Sequence, residues 1–316
     1  MEKNDRIFVA GGTTFVGNAI SKQLKTEGYT NLVCRPGEEP DLTDADQVDA
    51  FFARTSPEYI FLVAGKSGGI RANQKYPAEF IYDNAIITIH VLQSAYRHSV
   101  RKLLYLASSC SYPRRCRQPM RVEDLMTGPL EPTNEAYAMA KLLGIKMCEA
   151  YHNQYSVTFV PAIASNPFGP GDDFDPDDSH VIAALIRRMH EAKIHDAEVV
   201  EIWGTGSPRR EFIYCDDLAD ACIFVMREYN STEPINLGTG FDLSIRELAE
   251  MVKKVVGFGG ELIYNASKPD GMMRKVLDSS RLREMGWKPR TSFQAALSAT
   301  YDWFLHGESQ AVRSIE

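Results

Sequence analysis

No run of apolar residues in this chain reaches the roughly 20 needed to cross a bilayer. No CxxC pair and no His/Cys cluster marks a metal site, so no metal is expected. The six cysteines lack the spacing of an extracellular disulfide framework and read as reduced thiols of a cytoplasmic protein. A long basic tract is missing as well. The strongest cluster, Arg114-Arg115-Cys116-Arg117, is short, and a net charge of −7 argues against nucleic acid as the partner. Repeats, low-complexity stretches and a clear linker are absent. The first strand-like run begins almost at Met1, which leaves no expectation of a secretory leader.

What is present is an alternation. Short apolar runs at 6–10, 31–34, 59–63, 102–107 and 157–163 read as strands; 15–28, 44–54, 78–99 and 134–153 carry helical periodicity. That order is the signature of βαβ units. It predicts an α/β fold, a Rossmann-type doubly wound parallel sheet with a smaller C-terminal α/β lobe for the substrate. Residues 1–165 are expected to bind the dinucleotide and 166–316 mainly the substrate, some of their segments returning to the first unit. From Asn166 to Asp178 the composition is that of a loop, rich in Pro, Gly and Asp. Helices are expected at 180–193, 215–228, 244–256 and 291–305, and short strands near 199–202, 234–237 and 261–264.

Gly11-Gly12-Thr13-Thr14-Phe15-Val16-Gly17 sits between the first strand and the first helix. A strand, a glycine-bearing turn and a helix N-terminus make a pyrophosphate cradle, because free N–H groups and the positive dipole end face the anion. Arg35 ends the expected second strand. An acid there would hold the ribose 2′-hydroxyl of NAD; an Arg favours the 2′-phosphate of NADP(H). Asp41 and Leu42 lie where an adenine-contacting turn is expected.

Ser108-Ser109-Cys110-Ser111-Tyr112-Pro113 follows the apolar run 102–107, and Tyr137 and Lys141 lie four residues apart in a helical stretch. At that spacing both side chains share one face. The Lys charge is expected to lower the phenol pKa, so that Tyr137 exchanges a proton with a substrate oxygen near neutral pH. A Ser at the strand end supplies a second donor. Tyr-x-x-x-Lys alone is a weak signal, and its weight comes from the glycine turn before it. Most cysteines are small buried hydrophobes. His90, His98, His152, His190, His195 and His306 read as structural or exposed.

The chain resembles the extended short-chain dehydrogenase/reductases. The likeness runs through Lys66-Ser-Gly-Gly-Ile70, Tyr76-Pro-Ala-Glu-Phe80, Ser108–Pro113, Gln118-Pro119, Leu130-Glu-Pro-Thr-Asn-Glu135, Ser179-His-Val-Ile182, Trp203–Phe212 and Lys268-Pro-Asp-Gly271. It is nearest to the branch that performs NADPH-dependent 3,5-epimerisation and 4-reduction of a GDP-4-keto-6-deoxy sugar. The resemblance implies Ser108, Tyr137 and Lys141 as the reductase triad, Cys110 as the base at C3 and C5, and His180 as the acid on the other face. It further implies Ala64 and Lys66 beside the cofactor, and Asn166, Val181, Arg188, Trp203, Arg210 and Lys275 around the sugar nucleotide. A homodimer formed through 78–99 and the helix of Tyr137 is implied too.

This chain departs from the family pattern at five places, and one is Pro161-Ala-Ile-Ala-Ser165, where Pro-Thr usually stands just before the Asn. Thr14 stands where a glycine is usual and Thr13 where a cation is usual. Ser111 replaces an Ile, and Pro167 replaces a Leu. Two alternatives therefore stand beside the bifunctional reading. One is an epimerase-only or reductase-only enzyme on another GDP-4-keto-deoxy sugar, a heptose or dideoxyhexose. The other is a non-catalytic dinucleotide sensor, against which the intact Tyr137/Lys141 pair argues.

Overall fold

The structure of the chain is a computed structural model. It describes residues 1–34, 37–175, 178–268 and 270–313, with side chains as far as residue 307. In chain order, β1 (Ile7–Ala10), α1 (Phe15–Thr26), α2 (Ala45–Thr55), β2 (Tyr59–Leu62), α3 (Ile70–Lys75), α4 (Pro77–Arg97), β3 (Lys102–Ser108), α5 (Glu135–Tyr155) and β4 (Phe159–Ala164) come first. The elements then shorten: β5 (Asn166–Phe168), α6 (Val181–Ile194), β6 (Val199–Trp203), β7 (Arg209–Tyr214), α7 (Cys215–Glu228), β8 (Ile235–Leu237), β9 (Asp242–Ser244), α8 (Ile245–Val256), β10 (Glu261–Asn265), β11 (Arg274–Lys275), α9 (Ser280–Glu284) and α10 (Phe293–Arg313).

The main sheet runs β1-β2-β3-β4-β8 and every pairing in it is parallel. Its strands are apolar on both faces because helices cover both. Alternate residues go to opposite cores, as the period of two requires. Ile7, Val9, Leu104 and Leu106 pack with α1 and α7. Phe8, Ala10, Leu103, Tyr105 and Ala107 pack with α2, α4 and α5. This is the Rossmann-type layering the alternation predicts. A third core joins α6, α8 and α10 to β6 and β7. There β6 pairs with β10, and β7 lies between β11 and β5 with β9 antiparallel to it.

Several expectations need correction. The strand expected at 31–34 reduces to a single bridge, Leu32 to Ile7. Val33 and Cys34 pack as partly buried side chains on the second core instead of extending a ladder. Asn166–Phe168, read as loop, is a strand beside β7. Strand β7 itself was not expected: Arg-Arg-Glu-Phe-Ile-Tyr neither alternates nor forms an apolar run. Yet Glu211, in the middle of it, is fully buried. Its carboxylate accepts Gly240 N–H at 2.6 Å and Leu277 N–H at 2.7 Å, which ties β7 to the segment that follows β11.

Candidate active site

The glycine turn closes tightly against the sheet. Gly11 has φ +89°, and a Cβ on it would lie 2.6 Å from the Ala64 backbone just past β2. A Cβ on Gly17 would lie 1.9 Å from the Gly11 carbonyl oxygen. Both positions therefore require glycine, and Ala64 is placed against the turn. Thr14, by contrast, has extended backbone (φ −68°, ψ 159°) and caps α1. Its hydroxyl accepts Gly17 N–H at 3.2 Å and donates to the Gly11 carbonyl at 2.7 Å. The departure from glycine is thus used as an N-cap. Phe15 and Val16 open the helix, where N–H groups have no intrahelical acceptor. Thr13 is exposed.

An anion already touches this turn. The Glu39 carboxylate accepts the Gly11 and Gly12 N–H groups, and burial raises its pKa against those two bonds. Arg35 lies outside the described residues. Asp41 spends its carboxylate on Thr43, accepting N–H at 2.9 Å and the hydroxyl at 2.6 Å, which builds the turn into α2. Leu42 is buried beneath it. Lys66 pairs with Glu79 on α4.

Ser108 ends β3, and a short 3-10 turn, Ser109–Ser111, carries Cys110 out of the strand. Helix α5 brings Tyr137 and Lys141 over that end. It can lie close because Gly144 faces Tyr105, where a Cβ would meet the ring at 2.2 Å. Lys141 Nζ donates to the Leu106 carbonyl at 3.2 Å and lies 5.8 Å from the Tyr137 ring centre. Phe80 meets the Tyr137 ring edge-on at 6.2 Å.

The expected lowering of the Tyr137 phenol is overturned. Burial, and then the charge of Cys110, raise it, and the Ser108 hydroxyl opposes them only in part. Lys141 is itself buried, which pulls its ammonium down to about 8. A phenol enclosed in this way stays protonated at neutral pH, so it is a proton donor at rest.

Cys110 is the centre of the cluster. Its sulfur accepts Asn134 Nδ2 at 3.0 Å and Lys275 Nζ at 3.2 Å. Burial would raise the thiol; Lys275, with Ser108 and Asn134, outweighs burial and brings it below the usual thiol value. Ser108 therefore bears on both chemistries: its oxygen accepts the Cys110 N–H at 3.3 Å, and its hydroxyl favours the ionised forms of Cys110 and Tyr137. Arg210 stands beside Lys275 in register on β7. Its guanidinium donates to the Arg209 and Asp270 carbonyls at 2.9 and 3.3 Å and feels Cys110, Glu131 and Asp270 while burial lowers its pKa. His180 caps α6. Burial first, then Lys275, hold its imidazole below the ordinary value, against Asp173.

The remaining residues form a second group. Trp203 ends β6 with 43% of its surface exposed, so it is a platform and not core. The Arg188 guanidinium lies 5.4 Å and the Lys268 ammonium 5.1 Å from its ring centre. Arg187 turns away, to the Phe174 carbonyl at 2.9 Å and Glu191 at 2.8 Å. Val181 begins α6 beside His180 and packs on the third core. Asn166 begins β5 and donates its amide to the Glu211 carbonyl at 2.6 Å.

Sequence reasoning passed over Asn134, Glu39 and Glu211. Asn134 lies in the Glu-Pro-Thr-Asn-Glu segment that carries part of the resemblance, and its position directly before α5 was the available signal. Glu39 and Glu211 carry no local signal; only the folded chain brings them to backbone N–H groups. A cleft of about 540 Å³ lined by Arg117, Arg121 and Arg281 contains none of the clustered residues.

A glycine turn at the first strand, a Ser/Tyr/Lys set at the carboxyl end of the sheet and a cationic wall opposite define a dinucleotide enzyme of the Rossmann class. The chain belongs to the NAD dependent epimerase/dehydratase family, whose model matches residues 7–238. It is 50% identical over 310 residues to a putative GDP-L-fucose synthase 2 of Arabidopsis thaliana, covering 98% of this chain and 94% of the relative. Among solved structures it is similar to a GDP-6-OMe-4-keto-L-xylo-heptose reductase of Campylobacter jejuni, with TM-score 0.92, 34% identity and coverage of 97% and 99%. It is also similar to a GDP-L-fucose synthetase of Naegleria fowleri bound to NADP, with TM-score 0.89, 28% identity and coverage of 98% and 96%.

Proposed function

We propose that the protein is an NADPH-dependent enzyme that epimerises a GDP-4-keto-6-deoxyhexose at C3 and C5 and reduces it at C4, forming GDP-L-fucose or a close relative. The observation that carries this reading is the convergence of a cation-paired thiol, Cys110, and a protonated phenol, Tyr137, on one serine, Ser108. A reductase needs the phenol. The paired thiol belongs to proton transfer at carbon.

The turn fits the cofactor. Gly11 and Gly12 N–H groups already hold a carboxylate, which stands in for a phosphate oxygen. Gly11, Thr13, Thr14, Phe15, Val16 and Gly17 would hold the pyrophosphate, Arg35 the 2′-phosphate and Tyr137 with Lys141 the nicotinamide ribose. When bound, NADPH supplies the hydride for C4.

The chain's own residues do the rest. A C4 ketone acidifies both neighbouring carbons. The Cys110 thiolate takes the proton from C3 or C5; the C–H bond breaks, an S–H bond forms and the electron pair moves to O4 as an enolate. Ser108 and Tyr137 donate hydrogen bonds to that oxygen. His180 returns a proton to the opposite face, and the diphosphate bound by Lys275 and Arg210 offsets the cation that depresses it. In the reduction Tyr137 passes its proton to the C4 oxygen. Arg188, Trp203, Asn166 and Val181 would hold the GDP, with guanine on the indole face.

Three coarser matters follow the same reading. Residues 1–165 serve the cofactor and 166–316 mainly the sugar nucleotide. Ile81, Tyr82 and Ile89 on α4 and Met139 and Leu143 on α5 are exposed apolar side chains that fit a homodimer face. Six free thiols fit the cytoplasm. No helix among the described residues is long and apolar enough to cross a membrane.

A reductase acting on a GDP-keto-heptose is the second reading, favoured by the likeness to the Campylobacter enzyme. One experiment separates the two. The enzyme is given GDP-4-keto-6-deoxymannose and NADPH in heavy water, and the product is weighed by mass spectrometry. The bifunctional reading expects two deuterium atoms at C3 and C5 of a reduced sugar. A reduced sugar without deuterium contradicts it and leaves the reductase; no NADPH consumption also contradicts it, since a heptose reductase need not accept this hexose.

A further inference from the structure

We propose that Lys275 is a positioning residue for proton abstraction: it holds Cys110 as the thiolate before substrate arrives, with Asn134 fixing the direction of the sulfur. The proposal rests on the reading of Cys110 as the carbon base and adds to Lys275 a role besides gripping the diphosphate. Its ground is geometric. The ammonium and the Asn134 amide donate to one sulfur at 3.2 and 3.0 Å. Lys275 is buried at 8% exposure, so solvent screens the contact little.

The lysine is held in place without substrate. Strand β11 is only two residues long, but the chain around it is fastened on every side. Leu277 N–H donates to the buried Glu211 carboxylate at 2.7 Å, and Val276 N–H donates to Gln118 Oε1 at 3.0 Å. Met120 N–H donates to the Val276 carbonyl at 2.8 Å. Arg274 pairs with Asp242 at 2.6 Å. These bonds fix the strand, and the strand fixes the ammonium.

The other charged and titratable groups around the sulfur do not replace it. Tyr137 on α5 is held neutral. Arg210 on β7 spends guanidinium donors on the Arg209 and Asp270 carbonyls. Glu131, before α5, pairs with Arg114 at 3.2 Å. His180 at the start of α6 is itself pushed toward the neutral form by burial and Lys275, with Asp173 opposing. The step is simple: the thiol proton leaves to solvent and the sulfur keeps its electron pair beside a fixed cation. Of the two cations of the register pair, Lys275 then serves the sulfur as well as the diphosphate, and Arg210 the substrate side.

The test follows each cysteine of the NADP⁺-loaded enzyme by peptide mass spectrometry during iodoacetamide alkylation between pH 5.5 and 9.5. Cys110 is partly exposed; Cys148, Cys215 and Cys222 are buried and report unfolding. Lys275→Met is expected to move the Cys110 midpoint up by about one pH unit, which slows its alkylation at pH 7 about tenfold. Lys275→Arg is expected to restore the wild-type midpoint. If Lys275→Met lets the buried cysteines react, Lys275→Gln is read the same way. A Cys110 midpoint unchanged by loss of the lysine charge overturns the proposal, even if KM for the sugar nucleotide rises. A shifted midpoint with deuterium exchange at C3 and C5 untouched keeps the pairing and overturns the base role of Cys110.

Discussion

The two halves of the site are built from different material. The turn proposed for the pyrophosphate is backbone: glycine N–H groups, the opening turn of α1 and the carboxyl ends of β1 and β2. The substrate half is side chains, set on a 3-10 turn, on strands of two to six residues and at the start of α6. The difference explains where substitution is tolerated. Thr13 and Thr14 depart from the family pattern, yet the turn keeps its form because its donors are main chain. Cys110, Asn134 and Lys275 are bound to their chemistry, since the sulfur takes its hydrogen bonds from an amide and a cation on side chains.

That contrast can be broken at both ends. The largest effect is expected from Gly17→Ala, whose Cβ would fall 1.9 Å from the Gly11 carbonyl. Forcing the turn apart costs about 1–3 kcal/mol of overpacking, and NADPH affinity should fall about a hundredfold in a fluorescence titration. A variant that binds normally would show that the tight turn is not the cradle.

Trp203→Ala probes the other half. Stacking on a base contributes about 1–3 kcal/mol, so KM for the GDP sugar should rise roughly tenfold while NADPH binding stays level. Equal loss of both would mean the platform serves the fold.

Lys141 offers a pH signature. Its pKa falls from 10.5 to about 8 on folding, so the unfolded chain binds the extra proton between those values. The stability of the wild type relative to Lys141→Met should therefore rise with pH across that window, by on the order of 1–3 kcal/mol. Parallel thermal-melt curves for the two would show that the lysine is not desolvated as described. The smallest effect belongs to Thr13→Ala, an exposed side chain on a backbone-built turn. Less than a twofold change in NADPH affinity is expected, and a large loss would break the comparison outright.

The sequence shows the first half more plainly than the second, and the reason is physical. Strands buried on both faces are apolar runs, and amphipathic helices between them announce themselves, so β1 to β4 were legible. Strand β7 was hidden because a buried Glu211 and two adjacent arginines occupy it. Strand β11 is too short to carry a pattern at all. Within the site, Tyr137 and Lys141 are linked by helical spacing and were readable as a pair. The pairing of Cys110 with Lys275 spans 165 residues and exists only after folding. The phenol was misjudged for a similar cause: spacing reveals the neighbouring lysine but not the burial that outweighs it.

The central claim is that one cleft holds two separable chemistries, with Cys110 moving protons at carbon and Tyr137 supporting reduction at C4. The direct measurement is deuterium uptake at C3 and C5 alongside NADPH oxidation, in wild type, Cys110→Ser and Tyr137→Phe. The account predicts that Cys110→Ser loses the uptake while still binding NADPH. It predicts that Tyr137→Phe keeps some uptake while oxidation falls by roughly 10²–10⁴-fold. Uptake at the wild-type rate in Cys110→Ser would contradict it.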